Sequence, residues 1–482
     1  MAGILAFGAY VPRKRLQRSA VVAANGWFNS GLKALGRGER AIANWDEDSI
    51  TMAVEALRDC LGDLPRESVR TLLFASTSPP FADRQNAGIV KEALNLDDNI
   101  LTIDIGGSQK AGTGALIQAL KGTGEGQALC VASERRRARA ASEAELINGD
   151  AAAAFLIGEG DVVADLIGSH SVSVDFVDHF RSTGEAFDYS WETRWIRDEG
   201  YVKIAGQALR QALEKHGVAG EAVDHLIVPI PAKGIGLSLA KAAGISAESV
   251  SDGLDAGIGN AGSAHPLLML AHVLENATPG EIIAVLGFGQ GCDVLLLRVA
   301  GGAHKPRLGV SGWAARRQPE DNYVKHLFFA GLVDLERGMR AEFDQKTGLA
   351  ALYRNRKAVL GLVGSKDRDT GVVQFPPTPI GVAATEAVTG RQDPYPLAEK
   401  TGHILTFTAD KLTYTPDPPA WYGTIAFEGG GRMVAEFVDA EEETVTVGRQ
   451  VRMMFRIKAI DEQRSFTKYF WKAAPVGDGT EK

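Results

Sequence analysis

A glycine-rich stretch, GGSQKAGTGAL at Gly106 to Leu116, sets a hydroxyl (Ser108), a primary amide (Gln109) and an amine (Lys110) side by side ahead of a helical pattern. The N–H groups at a helix start stabilise negative charge. Two further stretches mix glycine with polar residues. IGNAGSAHPLLMLAHVLENATPGE (258–281) carries Asn260 and His265, and GFGQGCD (287–293) carries Gly287, Gly289 and Gly291. Histidine is the side chain that exchanges protons near neutrality. His265 is the first candidate for that task, with a helix cap bonded to backbone as its structural alternative. His179 stands in DFVDHFR (175–181), where a place on a pocket wall competes with a place on the surface. His225 begins a strand and reads as structural. Asp175, Asp178, His179 and His265 could share a metal only by long-range convergence, so no metal site is expected. Cys60, Cys130 and Cys292 lie far apart and form neither a ligand pair nor a disulfide framework. The run ERRRAR (134–139) offers guanidinium forks to a phosphate, against the plainer reading of a solvated or contact-forming loop.

These residues need a large frame. The chain has 482 residues, 45% of them hydrophobic and 23% charged, which is ordinary globular composition for two to four domains. A net charge of -8 argues against a nucleic-acid footprint. The N-terminal apolar run lacks a preceding basic segment and reads as a buried strand, not a signal peptide. No run of 18 apolar residues is present, so a soluble, cytoplasmic protein is expected. From Gly3 to Ile157 buried-strand and helix patterns alternate, and a second pass of the same kind runs from Ile204 to Val299. The class is therefore α/β, with two layered halves at about 1–165 and 166–350 that suggest a duplication. A helix is expected over Asn322 to Glu342. From Tyr353 onward short alternating runs separated by Gly, Asp and Pro predict five or six antiparallel strands in a small barrel.

The motifs resemble a known family. GGSQKAGTGAL resembles the nucleophile segment of the hydroxymethylglutaryl-CoA synthases and ketoacyl synthases III. IGNAGSAHP resembles their asparagine motif, GFGQGCD their glycine loop, and DFVDHFR a segment of the archaeal-type hydroxymethylglutaryl-CoA synthases. The resemblance covers about residues 1–350 and implies a thiolase fold of duplicated α/β halves. GLVGSKDRDTGVVQFPPTPIGVAA resembles the zinc hook of the OB-fold proteins that accompany archaeal-type thiolases, so 351–482 is expected to be a degenerate hook followed by an OB-fold. The hook's four cysteines would fall at Asp367, Thr370, Gly381 and Ala384, so a structural zinc is expected to be absent.

What the resemblance implies for chemistry is a site without its usual groups. The acyl-accepting cysteine falls at Gln109, the family histidine at Pro229, and the family glutamate at Thr77, while the asparagine remains as Asn260. Covalent acyl transfer through cysteine is thereby excluded. The implied function is cysteine-independent cleavage of a carbon–carbon bond in a β-oxo or β-hydroxy acyl-CoA, by hydrolytic retro-Claisen or retro-aldol chemistry. Gln109 and Asn260 would stabilise the oxyanion, and His265, with His179 lining the pocket, would handle the proton. Three alternatives stay open: decarboxylation of a β-oxoacyl or malonyl-type thioester, a synthase-like acyltransferase of atypical mechanism, and a non-catalytic acyl-CoA scaffold. Lys233, Arg181 and the backbone of Gly287, Gly289 and Gly291 are the expected contacts to a CoA thioester, which would be the substrate. No tightly bound cofactor is expected, and the chain should form a homodimer or higher homo-oligomer.

Overall fold

Runs such as AAAAFLIG and IIAVLGF carry no polar residue on either face, and a strand of that kind is stable only inside a covered sheet. In the computed structural model, which describes all residues except 1, 123, 125, 343, 384–389 and 478–482, these runs are fully buried strands. The chain divides into two compact units. The first holds residues 1–44, 48–87 and 97–333, and the second holds 45–47, 88–96 and 334–482. The division at Val333/Asp334 lies ahead of the expected boundary at 350.

The first unit is built on nine strands: β1 (Gly3–Tyr10), β2 (Val69–Ala75), β3 (Leu101–Ile105), β4 (Gln127–Glu134), β5 (Ala151–Gly158), β6 (Ala164–Ser173), β7 (His225–Ile227), β8 (Ile282–Phe288) and β9 (Gly291–Val299). Their order across the sheet is β7-β8-β9-β6-β1-β5-β4-β2-β3. Only Gly3 and Ile4 of β1 pair with β6, so two half-sheets meet at a narrow joint. From β1 outward the pairings are antiparallel, antiparallel, parallel, parallel. From β6 outward they run antiparallel, antiparallel, parallel. The duplication that no matching residues betray is thus present in the hydrogen-bond pattern.

Helices fill the layers. The helix α1 (Ser49–Leu61) is buried at every position and covers β1, β4 and β5. Asp48 starts it by accepting from the Thr51 N–H at 2.9 Å, while Thr51 Oγ1 accepts from the Asp48 N–H at 2.8 Å, a capping box worth about 1 kcal/mol. The helices α2 (Ala111–Gly122) and α4 (His265–Leu274) each touch strands of both half-sheets and form the central layer. Between them in sequence, α3 (Gly206–His216) lies on β6 and β9. The helix expected over 322–342 is only Tyr323–Phe329, because Gly331 adopts a φ of +68° just beyond it.

The second unit contains a small sheet of β10 (Val363–Asp367), β11 (Val373–Gln374) and β12 (Gln392–Pro396), in the order β11-β10-β12. A five-stranded antiparallel sheet follows, from β13 (Gly402–Asp410), β14 (Ala420–Phe427), β15 (Arg432–Glu436), β16 (Gln450–Asp461) and β17 (Phe466–Pro475), ordered β15-β14-β13-β16-β17. A bridge between Phe437 and Ala473 joins its two ends into a barrel. The chain turns at Gly448, with φ +85°, just before β16 begins. In the hook, Asp367 accepts from the N–H groups of Asp369 and Thr370 and from Gln392 Nε2 at 2.9–3.0 Å. Its carboxylate is consumed by the turn, so these residues do not fit a zinc ion; the fourth position, Ala384, lies outside the described residues.

Within this unit the short segment Trp45–Glu47 carries a buried charge cluster. Lys472 Nζ lies 3.0 Å from Asp46 and 3.2 Å from Glu436, over the ring of Trp45, and Arg456 reaches Glu47 at 3.0 Å. Lys472, Arg456, Asp46 and Glu47 are each at most 2% exposed.

Candidate functional site

The end of β2, the start of α2, the turn before α4 and the segment after β6 converge within the first unit. Glu134, fully buried at the end of β4, fastens two of them, the end of β2 and the turn before α4. Its carboxylate accepts from the Thr77 N–H at 2.7 Å, from Ser78 Oγ at 2.6 Å and from Ser263 Oγ at 2.5 Å.

Gln109 sits at the centre. Its Nε2 lies 3.5 Å from Thr77 Oγ1 and 3.5 Å from His179 Nε2, both at the outer limit of a hydrogen bond. Its Oε1 is buried with no partner among the described residues. A buried amide bonded this weakly costs about 1–3 kcal/mol unless a ligand completes it. Ser108, by contrast, donates to the Gly289 carbonyl at 2.9 Å and accepts from the Lys110 N–H. Lys110 reaches Asp293 at 3.3 Å, which Thr113 also contacts.

His179 faces Gln109 and is backed by Asp178. Asp178 Oδ1 lies 3.1 Å from His179 Nδ1 and 3.5 Å from Gln290 Nε2. The carboxylate fixes the ring proton on Nδ1 and leaves the Nε2 lone pair toward the Gln109 amide, the tautomer a general base requires. Gln290 holds a left-handed backbone, φ +48°, between two glycines of the loop. Arg181 donates to Asp188 at 2.8 Å and to the Thr77 carbonyl. Arg136 donates to the other oxygen of Asp188 at 2.7 Å and to Asn148 at 3.3 Å. Burial opposes ionisation of Asp188, yet Arg136 and then Arg181 hold its carboxyl below the ordinary value. A Cβ on Gly262 would meet both Gln109 Oε1, at 2.6 Å, and Arg136 Cδ, at 2.8 Å. Glycine there lets the two side chains share one wall, and the Arg136 Nε is another buried atom without a partner among the described residues.

The other expected residues have different places. Asn260 donates to the Pro229 carbonyl at 3.1 Å and accepts from the Gly262 N–H at 3.0 Å, so it shapes the turn beside Gln109. His265 does not join the cluster. Its Nδ1 accepts from the Ala261 N–H and its Nε2 meets the Gly253 carbonyl at 2.9 Å. Burial lowers its pKa to about 4, so the ring is a neutral cap with both nitrogens occupied. That geometry matches the structural cap weighed as the alternative from sequence and leaves no ring nitrogen free for the proton transfer that His265 was first expected to perform. The loop glycines serve packing: a Cβ on Gly287 would strike Thr113, and one on Gly289 would lie 2.6 Å from Ser108 Oγ and 2.9 Å from the Lys110 nitrogen. Gly291, at φ +114°, backs onto the Val172 carbonyl. Lys233 is exposed in the turn before the helix Ile235–Ala243. Cys292 is fully buried, and burial pushes its thiol to about 12. Arg136 reaches into the site, and it also lines a neighbouring cleft together with Arg135, Arg137, Arg40 and His326. Among the described residues no group of three or more His, Cys, Asp or Glu side chains could hold a metal, and no helix is long and apolar enough to cross a membrane.

Asp178 as the partner of His179, and Arg136, Asp188 and Gln290 around it, were not assigned from sequence. The adjacency of Asp178 and His179 was legible; the reach of Arg136 across to Asp188 was not.

Two stacked half-sheets with a polar cluster at the start of the central helix define a thiolase-fold protein. Its relatives give the family. The chain is 30% identical over 308 residues to the hydroxymethylglutaryl-CoA synthase of Archaeoglobus fulgidus, covering 62% of this chain and 89% of that one. It belongs to the hydroxymethylglutaryl-CoA synthase family. Among solved structures, MvaS in complex with 3-hydroxy-3-methylglutaryl coenzyme A superposes with a TM-score of 0.57 at 20% identity, covering 69% of this chain and 92% of that one. The 3-oxoacyl-(acyl carrier protein) synthase III of Pseudomonas aeruginosa gives 0.56 at 21% identity, covering 63% and 99%. A family profile described as the C-terminal OB-fold domain of ChsH2 matches residues 395–456.

Proposed function

We propose that the chain is an enzyme acting on acyl-CoA without a covalent acyl intermediate, and that it cleaves the Cα–Cβ bond of a β-hydroxy acyl-CoA in a retro-aldol reaction. The observation that carries this reading is Gln109 at the family's cysteine position, its amide weakly bonded, with His179 and Asp178 against it. Relatives named hydroxymethylglutaryl-CoA synthase and a neighbour holding 3-hydroxy-3-methylglutaryl coenzyme A support a CoA thioester as substrate.

In this mechanism His179 Nε2 takes the β-hydroxyl proton. The O–H pair becomes the new carbonyl bond, and the Cα–Cβ pair moves onto the thioester as an enolate. The Gln109 amide N–H donates to the enolate oxygen. Asp178 stabilises the imidazolium, which then returns the proton to Cα. The products are an aldehyde or ketone and a shortened acyl-CoA, with no redox partner. A β-oxo acyl-CoA at the same site would require water as the nucleophile, activated by His179. Run backward, the residues perform an aldol condensation, a second reading favoured by the synthase names of the relatives.

The test incubates the protein with β-hydroxy and β-oxo acyl-CoAs and follows acetyl-CoA, free CoA, carbon dioxide and carbonyl products. An aldehyde or ketone released with acetyl-CoA, and lost in Gln109→Ala and His179→Ala, is the expected result. No product from any substrate with an intact fold would sink the reading, as would full activity in Gln109→Ala with loss in Ser108→Ala.

A further inference from the structure

Large apolar side chains are exposed together beside His179. Phe180, Tyr189, Trp191 and Trp195 are 51%, 57%, 59% and 37% exposed, where isolated aromatic rings of a soluble chain are mostly covered. They surround a cavity of about 260 Å³ whose wall also includes Asp178 and His179. The chain builds this concavity deliberately. His179–Phe180 and Tyr189–Ser190 form a two-stranded antiparallel ribbon in which Phe180 and Tyr189 are direct partners, with ring centroids 5.5 Å apart. Trp191 is anchored through its backbone N–H to the Asp178 carbonyl at 3.0 Å, and Phe176 stacks beneath Trp195 at 4.2 Å and 20°.

We infer that this cavity receives an aromatic ring on the β-carbon of the acyl group, so that the substrate class is a β-aryl-β-hydroxyacyl thioester. The inference rests on the reaction proposed above and specifies its substrate. Size admits a ring. An apolar cavity of about 150 Å³ takes benzene, so about 260 Å³ has room for one substituted ring or a small bicycle. Chemistry favours a ring over an alkyl chain, since each offset aromatic pair adds roughly 2- to 10-fold beyond the area it buries. Position favours the β-carbon: a ring among these side chains holds its own attachment carbon, and the hydroxyl on it, next to His179. Cleavage then forms a carbonyl conjugated with the ring, which lowers the energy of the leaving product.

The experiment compares 3-hydroxy-3-phenylpropanoyl-CoA with 3-hydroxybutanoyl-CoA. A hydrazide traps the aldehydes, acetyl-CoA is measured, and calorimetry measures binding of both thioesters. The expected result is a kcat/KM at least about 10-fold higher for the phenyl substrate, with that ratio reduced about 10-fold in Trp191→Ala. Saturable binding of the phenyl thioester, weakened by Trp191→Ala, without cleavage would uphold the substrate class and sink the reaction. Equal or preferred cleavage of the butanoyl thioester would overturn the substrate class and leave the reaction standing. Absence of binding and cleavage for both would overturn both. A change of oligomeric state in Trp191→Ala with an unchanged substrate ratio would assign the rings to a second copy of the chain and overturn the inference.

Discussion

At the scale of single residues, the site exchanges one strong nucleophile for a set of weaker, mutually positioned groups. Gln109 can donate but cannot be acylated, and Asp178, 3.1 Å from Nδ1 of His179, orients that ring toward Gln109. Gln109→Glu preserves shape while removing the donor, and should lower kcat by about 10²–10³ with KM changed much less. Asp178→Asn should lower kcat by about 10² or more through the wrong histidine tautomer, with circular dichroism and Tm close to the parent. Arg136→Met removes one of two guanidinium partners of Asp188. Arg181 remains, so the expected loss of stability is about 1–3 kcal/mol, measurable by urea denaturation. What the sequence made visible at this scale were the lost groups and the one retained asparagine. The replacements were harder to see because their partners lie far along the chain. Arg136 to Asp188 spans 52 positions and Gln109 to His179 spans 70. His265 invited a catalytic role because its spacing from Asn260 says nothing about the Gly253 carbonyl that occupies its ring.

At the scale of elements, two features position the site. The first is the close approach of the glycine loop to the start of α2. Gly289→Ala would bring a methyl group to within 3.0 Å of the Gln109 and Lys110 backbone nitrogens, which cannot move without the helix. A displacement near 1 Å at that point should cost about 100-fold in turnover while the far-ultraviolet dichroism stays native. The second is the neutral cap at the head of α4. Folded His265 has a pKa of about 4 against the ordinary 6.5, so on acidification the unfolded chain binds the proton first. Its stabilising contribution is present above about pH 6.5 and is lost as the pH falls toward 4, by about 3 kcal/mol in all. Burial and the positive charges of Arg40 and Arg135 lower His326 to about 3, which acts in the same direction. Thermal unfolding from pH 7.5 to 4.5 should therefore show a steep fall in Tm, partly flattened in His265→Gln. Periodicity located α1, α2 and α4 well, since their apolar faces are continuous. It missed β6, whose sequence ADLIGSHSVS alternates only weakly because the strand is half-exposed.

At the scale of the whole molecule, the α/β and β-rich portions were legible as a change of texture near residue 350, and the two compact units interleave along the chain. Residues 45–47 and 88–96 belong with the C-terminal unit, for charge and packing reasons that composition cannot reveal. Asp46→Ala would leave Lys472 buried with Glu436 as its remaining carboxylate and should cost about 3 kcal/mol. The unfolding transition of the full chain in urea should shift accordingly, even though the substitution lies among the first tenth of the residues.

That cluster also has a history in time. Asp46 and Lys472 are 426 positions apart, and the ribosome makes the first roughly 20 to 90 s before the second. Throughout that interval Asp46 and Glu47 are hydrated carboxylates waiting for their cations, a state that water tolerates well. The order matters, because the cations arrive on β16 and β17, made long after Asp46 and Glu47. A chain that stops short of β17 would therefore carry its fault near its beginning, where a sequence comparison of the missing end would never look for it.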